Sequence, residues 1–404
     1  MKTAASFLGR GTLAVALLVA AIAPLGAQPR QTWPAIEAAA RGQSVYFNAW
    51  AGDPAINRYL GWAAQAIEAR YGVRLIHVKV ADIATVVSRI LAEQAAGRRE
   101  GGSVDLLWIN GENYASLMKA GLLQGPWTAT LPSAAAIDAE EPSIATDFTL
   151  PTAGYELAWG GARFTLFYET QAVPSPPPQD PAALLQWIAA HPGRFTYPQP
   201  PDFLGSSFLK QLLLLLTPDR ERLQRPVAAD FDRVTKPLWA WLEAARPRLW
   251  RGGRVYPRSG QEQRRLLGDG EVDWSLAFNP SEANRAILDG ELPDSIRALH
   301  FRGGALANSH FLAIPVNARA REGAMVVANF LLSPEAQARK ADEAIWGDPT
   351  VLAMDRLAPV DRQRFAALKR GPAWPREYGP RLSEPHPSWT TALERAWIGR
   401  YGAQ

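Results

Sequence analysis

Small and polar residues follow two apolar segments in the first third of the chain, and their side chains could contact a ligand. They are Asn48, Trp50 and Asp53 around the end of the segment Ser44–Trp50, and Asn110, Gly111, Glu112 and Asn113 after the segment 104–109. The Trp50 ring could stack on a solute. The carboxylates of Asp53 and Glu112 could meet a cation, and free N–H groups at a helix start could bind an anion. Asp53 also precedes Pro54, a pair that suits a helix cap, and Trp50 suits a core equally well.

A second group of candidates lies further along the chain and comprises Trp159, Ser206, Ser207, Asn279, Asn308 and His310. The Gly205-Ser206-Ser207 turn precedes an apolar helix. Its hydroxyl and N–H groups could reach a ligand oxygen, although serine also caps helices without any ligand. Asn279 follows the strand-like segment 272–278, the place in the second half that matches the loops above. Trp159, Asn308 and His310 are expected near the connections between the halves, where a lone histidine is more often structural.

The chain lacks the sequence signatures of common enzymes. None of its five histidines is paired with another at metal-ligand spacing, and the motifs HExxH, GxSxG and GxxxxGK[ST] are absent. The chain also contains no cysteine, which excludes thiol chemistry and disulfides and requires large hydrophobic cores instead. We therefore predict no catalytic residue, no metal site and no cofactor.

Strand-like segments alternate with amphipathic helices over residues 44–120, which indicates a parallel α/β sheet with right-handed crossovers. Ligands of such sheets bind beyond the carboxyl ends of the strands, and the first group of candidates lies there. A stiff segment with five prolines at 174–181 precedes a second α/β series over 182–301. A strand-like segment, 310–317, and a helical segment, 323–341, follow it.

The N-terminus has the features of a secretory signal peptide at residues 1–27. Lys2 and Arg10 give a basic start, and the apolar run that follows is shorter than the ~20 residues of a spanning helix. We expect cleavage after Ala27 and no stable membrane insertion of the remaining chain. Removal of Lys2 and Arg10 lowers the formal net charge from +4 to +2, and without a long basic run nucleic acid is not an expected partner.

Several stretches of the sequence resemble the extracellular solute-binding proteins of ABC importers. The strings that carry the resemblance include SVYFNAWAGDP from Ser44, WINGEN from Trp108, FLLSPEAQ from Phe330 and WGDPTVL from Trp346. FLLSPEAQ is widespread in such proteins. WINGEN and WGDPTVL are narrower and resemble the YnjB-type family, in the type II (Venus flytrap) branch.

The resemblance implies an α/β, two-lobed periplasmic-binding-protein (Venus flytrap) type II fold, with crossing strands between the lobes and the ligand in the cleft. We expect lobe I to comprise residues 28–162 and 302–404, and lobe II residues 163–301. The implied function is that of a monomeric periplasmic binding protein, not an enzyme. It would capture a small polar or cationic organic solute and deliver it to a membrane ABC permease with its ATPase. A secreted carbohydrate-active hydrolase is the alternative, because Trp-rich clefts with two carboxylates also hydrolyse glycosides.

Overall fold

A mixed sheet forms the centre of the first lobe in the computed structural model, which describes residues 31–139, 141–375 and 379–402. Its strand order is β11-β10-β3-β1-β2, and β6 also pairs with β10. These strands are β1 (Ser44–Trp50), β2 (Arg74–Val80), β3 (Leu106–Ile109), β6 (Glu156–Arg163), β10 (Ala305–Ala313) and β11 (Arg381–Ser383). β1 runs parallel to β2 and β3, as predicted, whereas β10 runs antiparallel to β3 and β6.

The second lobe contains a three-stranded sheet in the order β8-β7-β9, with β7 antiparallel to both neighbours. Its strands are β7 (Thr165–Glu169), β8 (Trp274–Ala277) and β9 (Ile296–Leu299). A short hairpin of β4 (Thr146–Asp147) and β5 (Leu150–Pro151) lies apart from both sheets. Residues 194–197, within the second predicted α/β series, form no strand. Their backbone instead accepts hydrogen bonds from Asp273 and Trp250 in irregular connections.

Helices cover both sheets. They are α1 (Trp33–Ala40), α2 (Pro54–Tyr71), α3 (Ala84–Ala95), α4 (Gly111–Lys119), α5 (Pro142–Ala145), α6 (Pro181–Ala190), α7 (Phe203–Leu216), α8 (Phe231–Ala245), α9 (Gly260–Gly268), α10 (Glu282–Leu288), α11 (Arg321–Leu332), α12 (Pro334–Ala341), α13 (Pro359–Ala366) and α14 (Pro387–Tyr401). The helix predicted at 323–341 is broken at Ser333, because Pro334 cannot continue α11 and Ser333 caps α12 instead.

Within residues 141–375 the chain crosses between the lobes at three places. β6 ends at Arg163 in the first sheet and β7 begins at Thr165 in the second, while β10 returns. The third crossing lies between Phe365, which packs on the first core, and Ala373, which is buried in the second lobe. Several segments of the chain, rather than a single linker, therefore join the two lobes.

The C-terminal region differs from the prediction that residues 302–404 all belong to lobe I. Leu382, Trp389, Leu393 and Trp397 are buried in the second core, together with Phe208 and other residues of α7 and α8. The large rings on one side of α14 can be buried only where an apolar surface remains open, and the second lobe provides it. α14 also packs against α4 of the first lobe.

Candidate ligand-binding cleft

Residues after the carboxyl ends of β1, β2 and β3 meet residues of α7, α10 and α14 across the boundary between the lobes, which we call the cleft. Asp53, just after β1, pairs with Arg285 on α10. Glu112, in the first turn of α4, lies within electrostatic range of Lys210 on α7. Polar groups from the two lobes therefore meet where parallel α/β sheets bind their ligands.

One end of the cleft is closed by direct contacts between the lobes, which we call the latch: Asp53, Ser281, Arg285 and the backbone of Trp346 and Gly347. Arg285 donates to the Asp53 carboxylate and to the Trp346 carbonyl, the latter at 3.0 Å. Ser281 Oγ donates to the Gly347 carbonyl at 2.7 Å. Asp53 also caps α2 by accepting from the Ala55 N–H at 2.8 Å. Asp53 is thus a helix cap, as one of its two sequence interpretations expected, and its second oxygen pairs with Arg285 of the other lobe.

The other end of the cleft, which we call the acidic end, holds the carboxylates of Asp82, Glu112 and Glu394. Solvent reaches Glu112, yet protein surrounds it on most sides; this partial burial raises the pKa of Glu112, and Asp82 raises it further. Burial also raises the pKa of Glu394, with added repulsion from Glu112 and Asp82. None of the three forms an ion pair with any residue within 31–139, 141–375 and 379–402.

Lys210 is the cation nearest to the acidic end, and its charge is already paired. Its ammonium donates to Glu384 Oε2 at 2.7 Å and lies over the Phe148 ring, 4.4 Å from the centroid. Asn308 Nδ2 donates to the other Glu384 oxygen at 2.8 Å. Lys210, Glu384 and Asn308 are all buried. Because Glu384 already neutralises Lys210, little positive charge is left for the carboxylates of the acidic end.

The first N–H of α4 is already bonded within the protein. Gly111 has φ = +60° and donates its N–H to Asp147 Oδ2 at 2.7 Å. A Cβ at Gly111 would come within 2.8 Å of the Phe148 ring, so this position requires glycine. Burial raises the pKa of Asp147 well above its ordinary value, and Glu112 and Glu384 add to the effect. The Gly111 N–H is therefore not free to bind an anion.

An aromatic cluster lies beneath the cleft. Trp159 is fully buried and packs edge-on against Trp108, with ring centroids 5.1 Å apart, and against Trp346 at 5.5 Å. His310 contacts Trp108 and hydrogen-bonds Asp348 Oδ1 at 2.8 Å. Trp159 is a predicted ligand contact, but its ring is enclosed by core residues, and in this cluster Trp108 and His310 are the half-buried members.

Several other candidates have partners within the protein. Asn48 is buried in β1 and contacts Tyr46 and Arg89, and Trp50 is half-buried against the first core. Asn279 accepts from the Ser281 N–H, and Asn113 donates to Glu112 at 3.3 Å. Asn110 occupies the N-cap position of α4 without a side-chain capping bond.

The serine turn was misplaced. α7 begins at Phe203 with Asp202 as its cap, so Ser206 and Ser207 lie inside the first turns and not before the helix. The helix begins with two apolar residues, Phe203 and Leu204, before the Gly-Ser-Ser sequence. The cap Asp202 was therefore not recognised from the sequence. Ser206 nevertheless faces the acidic end, because its Oγ donates to Glu394 Oε1 at 2.6 Å.

Sequence reasoning missed Asp82, Lys210, Arg285, Glu384 and Glu394. Asp82 follows β2 as Asp53 follows β1, so the same strand-end rule would have found it. A lone lysine in the apolar α7 was also a usable signal, since buried lysines need a partner. No sequence pattern marks the two C-terminal glutamates.

Comparisons with known proteins agree with this architecture. A family model described as "Bacterial extracellular solute-binding protein" matches residues 62–354. The chain is 48% identical to the protein YnjB of Escherichia coli (strain K12) over 371 residues, which cover 92% of this chain and 94% of YnjB.

Two solved structures share the fold at low sequence identity. The periplasmic binding protein AfuA from Actinobacillus pleuropneumoniae superposes with a TM-score of 0.60 at 12% identity, covering 90% of this chain and 99% of AfuA. The spermidine/putrescine ABC transporter substrate-binding protein PotD from Streptococcus pneumoniae gives 0.59 at 12% identity, with 89% and 98% covered. The predicted two-lobed α/β fold is confirmed. In the described part of the chain, no helix is long and apolar enough to span a membrane, and no three side chains are grouped as metal ligands.

Proposed function

The chain belongs to the family of bacterial extracellular solute-binding proteins, and on that premise we propose that it captures a small polar or cationic organic solute between its lobes and delivers it to a membrane ABC permease with its ATPase. The family consists of binding proteins, so the hydrolase alternative is set aside. PotD, by its name a spermidine/putrescine binder, shares the fold and accords with such a role.

One observation carries the proposal: polar groups of both lobes meet across the cleft, yet among the described residues the carboxylates of its acidic end form no ion pair. A solute that contacts Glu112 on one lobe and the Ser206–Glu394 pair on the other gains its full contacts only when the lobes are closed. Moving a lobe equilibrium from mostly open to mostly closed takes about 5 kcal/mol of differential binding, which a few bridging hydrogen bonds can supply.

Secretion to the periplasm is part of the proposal. The signal peptide expected at residues 1–27 lies outside the described residues, and the family's extracellular location supports it. Intact-mass measurement of protein from a periplasmic extract should give a chain that begins at or near Gln28. A soluble form that retains residues 1–27 would contradict export by cleavage.

The test of solute capture begins with natively purified protein. It is denatured, and the released small molecules are identified by mass spectrometry and then titrated back by calorimetry. We expect a solute at stoichiometric amount, and weaker binding in Glu112→Ala, Asn113→Ala and Ser206→Ala, by about 0.5–1.5 kcal/mol for each lost neutral hydrogen bond. Normal binding by all three variants, or weaker binding explained by their melting, would place the site elsewhere.

A further inference from the structure

The acidic end concentrates three carboxylates that form no ion pair in the described part of the chain. Asp82 and Glu112 come from the first lobe and Glu394 from the second; Asp82 raises the pKa of Glu112 by repulsion, and both raise the pKa of Glu394. Lys210 opposes this repulsion, but it is committed to Glu384. Closing the lobes brings these like charges together, so closure without a ligand is disfavoured at this end.

A second, independent feature is a set of buried oxygen atoms without donors. Asp147 is 1% exposed, and its Oδ1 has no hydrogen-bond partner in the described part of the chain. The Asp147 carboxyl lies within electrostatic range of Glu112, Glu384 and Lys210. Asn308, 6% exposed and bonded to Glu384, likewise has an unpartnered Oδ1. The Asn308 Oδ1 is an acceptor, and a buried acceptor that lacks a donor favours a ligand with N–H groups.

The same region offers apolar surface. Phe203 is 44% exposed although it is a large hydrophobic residue, and its ring lies 5.1 Å from Phe278. The Lys210 ammonium is 5.8 Å from the Phe203 ring and 4.4 Å from the Phe148 ring. The local geometry thus already accommodates one ammonium beside aromatic faces and carboxylates.

We propose that the acidic end binds the protonated nitrogen of an organic ammonium compound through Asp82, Glu112 and Glu394, with the apolar part of the ligand against Phe203. This inference rests on the proposed function and narrows it from polar solutes in general to cations. The three carboxylates repel anionic solutes and so exclude them. An uncharged solute would leave the negative charge of the carboxylates uncompensated. Asp82, Glu394 and Phe203 become ligand contacts in addition to Glu112.

The experiment uses the full mature chain and a panel of small compounds, each prepared as the amine, its N-acetyl amide and the carboxylate of the same carbon skeleton. Binding is screened by thermal shift and quantified by calorimetry, alongside the inventory of solutes that co-purify. We expect amines to bind, their amides and carboxylates not to bind, and the co-purified solute to be a cation. Glu112→Gln and Glu394→Gln should each weaken amine binding about tenfold or more, because each removes a charge-assisted contact.

A matched control is Asp232→Asn, which removes an exposed acid from the first turn of α8 and should leave amine binding unchanged. The Phe203→Ala variant should weaken amines with large apolar bodies more than small ones. A neutral or anionic solute that binds equally well to wild type and Glu112→Gln would overturn the cation site while leaving solute capture intact. If nothing co-purifies and no member of the panel binds, solute capture itself fails.

Discussion

The latch makes a quantitative prediction about lobe closure, tested by replacing Arg285 with glutamine. The paired side chains of Arg285 and Asp53 are only 6% and 11% exposed. Removing one partner of a buried pair costs about 3–5 kcal/mol when the other charge stays buried. In the proposed mechanism the lobes open, and opening returns the Asp53 carboxylate to water. The penalty therefore falls on the closed state, and about 3 kcal/mol shifts the closed-to-open ratio by roughly 150-fold.

The assay can use the absence of cysteine in the chain. One exposed cysteine engineered in each lobe gives a unique pair of nitroxide labels, whose distance distribution reports closure. We expect Arg285→Gln to lengthen the distance without ligand and Asp53→Asn to do the same. Asparagine keeps the capping acceptor for Ala55, so helix loss does not confound this variant. The double variant with both Asp53→Asn and Arg285→Gln should close more readily than either single variant, because closure then buries no unpaired charge.

The matched control is the Arg70–Glu335 pair, which joins α2 and α12 within the first lobe. These side chains are 47% and 40% exposed, so Arg70→Gln should cost about 0–1 kcal/mol and leave the distance unchanged. Identical distance distributions in wild type and Arg285→Gln would refute the reasoning. The latch would then be a consequence of closure and not one of its causes.

Three further predictions concern stability and processing. Trp397→Ala should lower the free energy of unfolding by about 3–5 kcal/mol in urea titrations, because this buried indole packs in the second core; a loss below about 1 kcal/mol would contradict that packing. Burial lowers the pKa of His300 from 6.5 to about 3, so the unfolded chain binds a proton that the folded one excludes, and stability should fall as pH drops from 6.5 toward 3. His300→Gln should flatten this limb in pH-dependent unfolding, whereas His191→Gln, a half-buried control, should not. N-terminal sequencing of exported protein should start near Gln28, and a start well beyond it would place cleavage elsewhere.

The first lobe could be predicted well because its signals are local. Ser44–Trp50 is a continuous apolar run, Asp53 and Pro54 mark the start of α2, and Gly72 ends it with φ = +66°. Each of these features is decided by neighbouring residues, so the sequence shows it directly. The crossing strands were also expected, although β6 and β10 begin earlier than the predicted segments at 162 and 310.

The acidic end could be predicted only in part. Glu112 was found by its place after β3, whereas Glu384 and Glu394 reach the cleft from residues near the C-terminus. Their position depends on where α14 finds an apolar surface, which is a property of the assembled second lobe. Long-range burial of this kind has no local pattern. The same reason explains why the tail was assigned to the wrong lobe.

The C-terminal helix also sets the order in which the molecule can be completed. The first core needs Phe311 and Leu331, and the second needs Trp389 and Trp397, so neither core is whole until late segments of the chain are present. Contacts between residues so far apart in the sequence make folding slow. A long loop must close, with a loss of entropy, before such a contact can stabilise the fold. For a chain threaded through a membrane before it folds, as we propose for this one, that delay is useful. The first core can be complete once Leu357 has followed, and the second only once Tyr401 has.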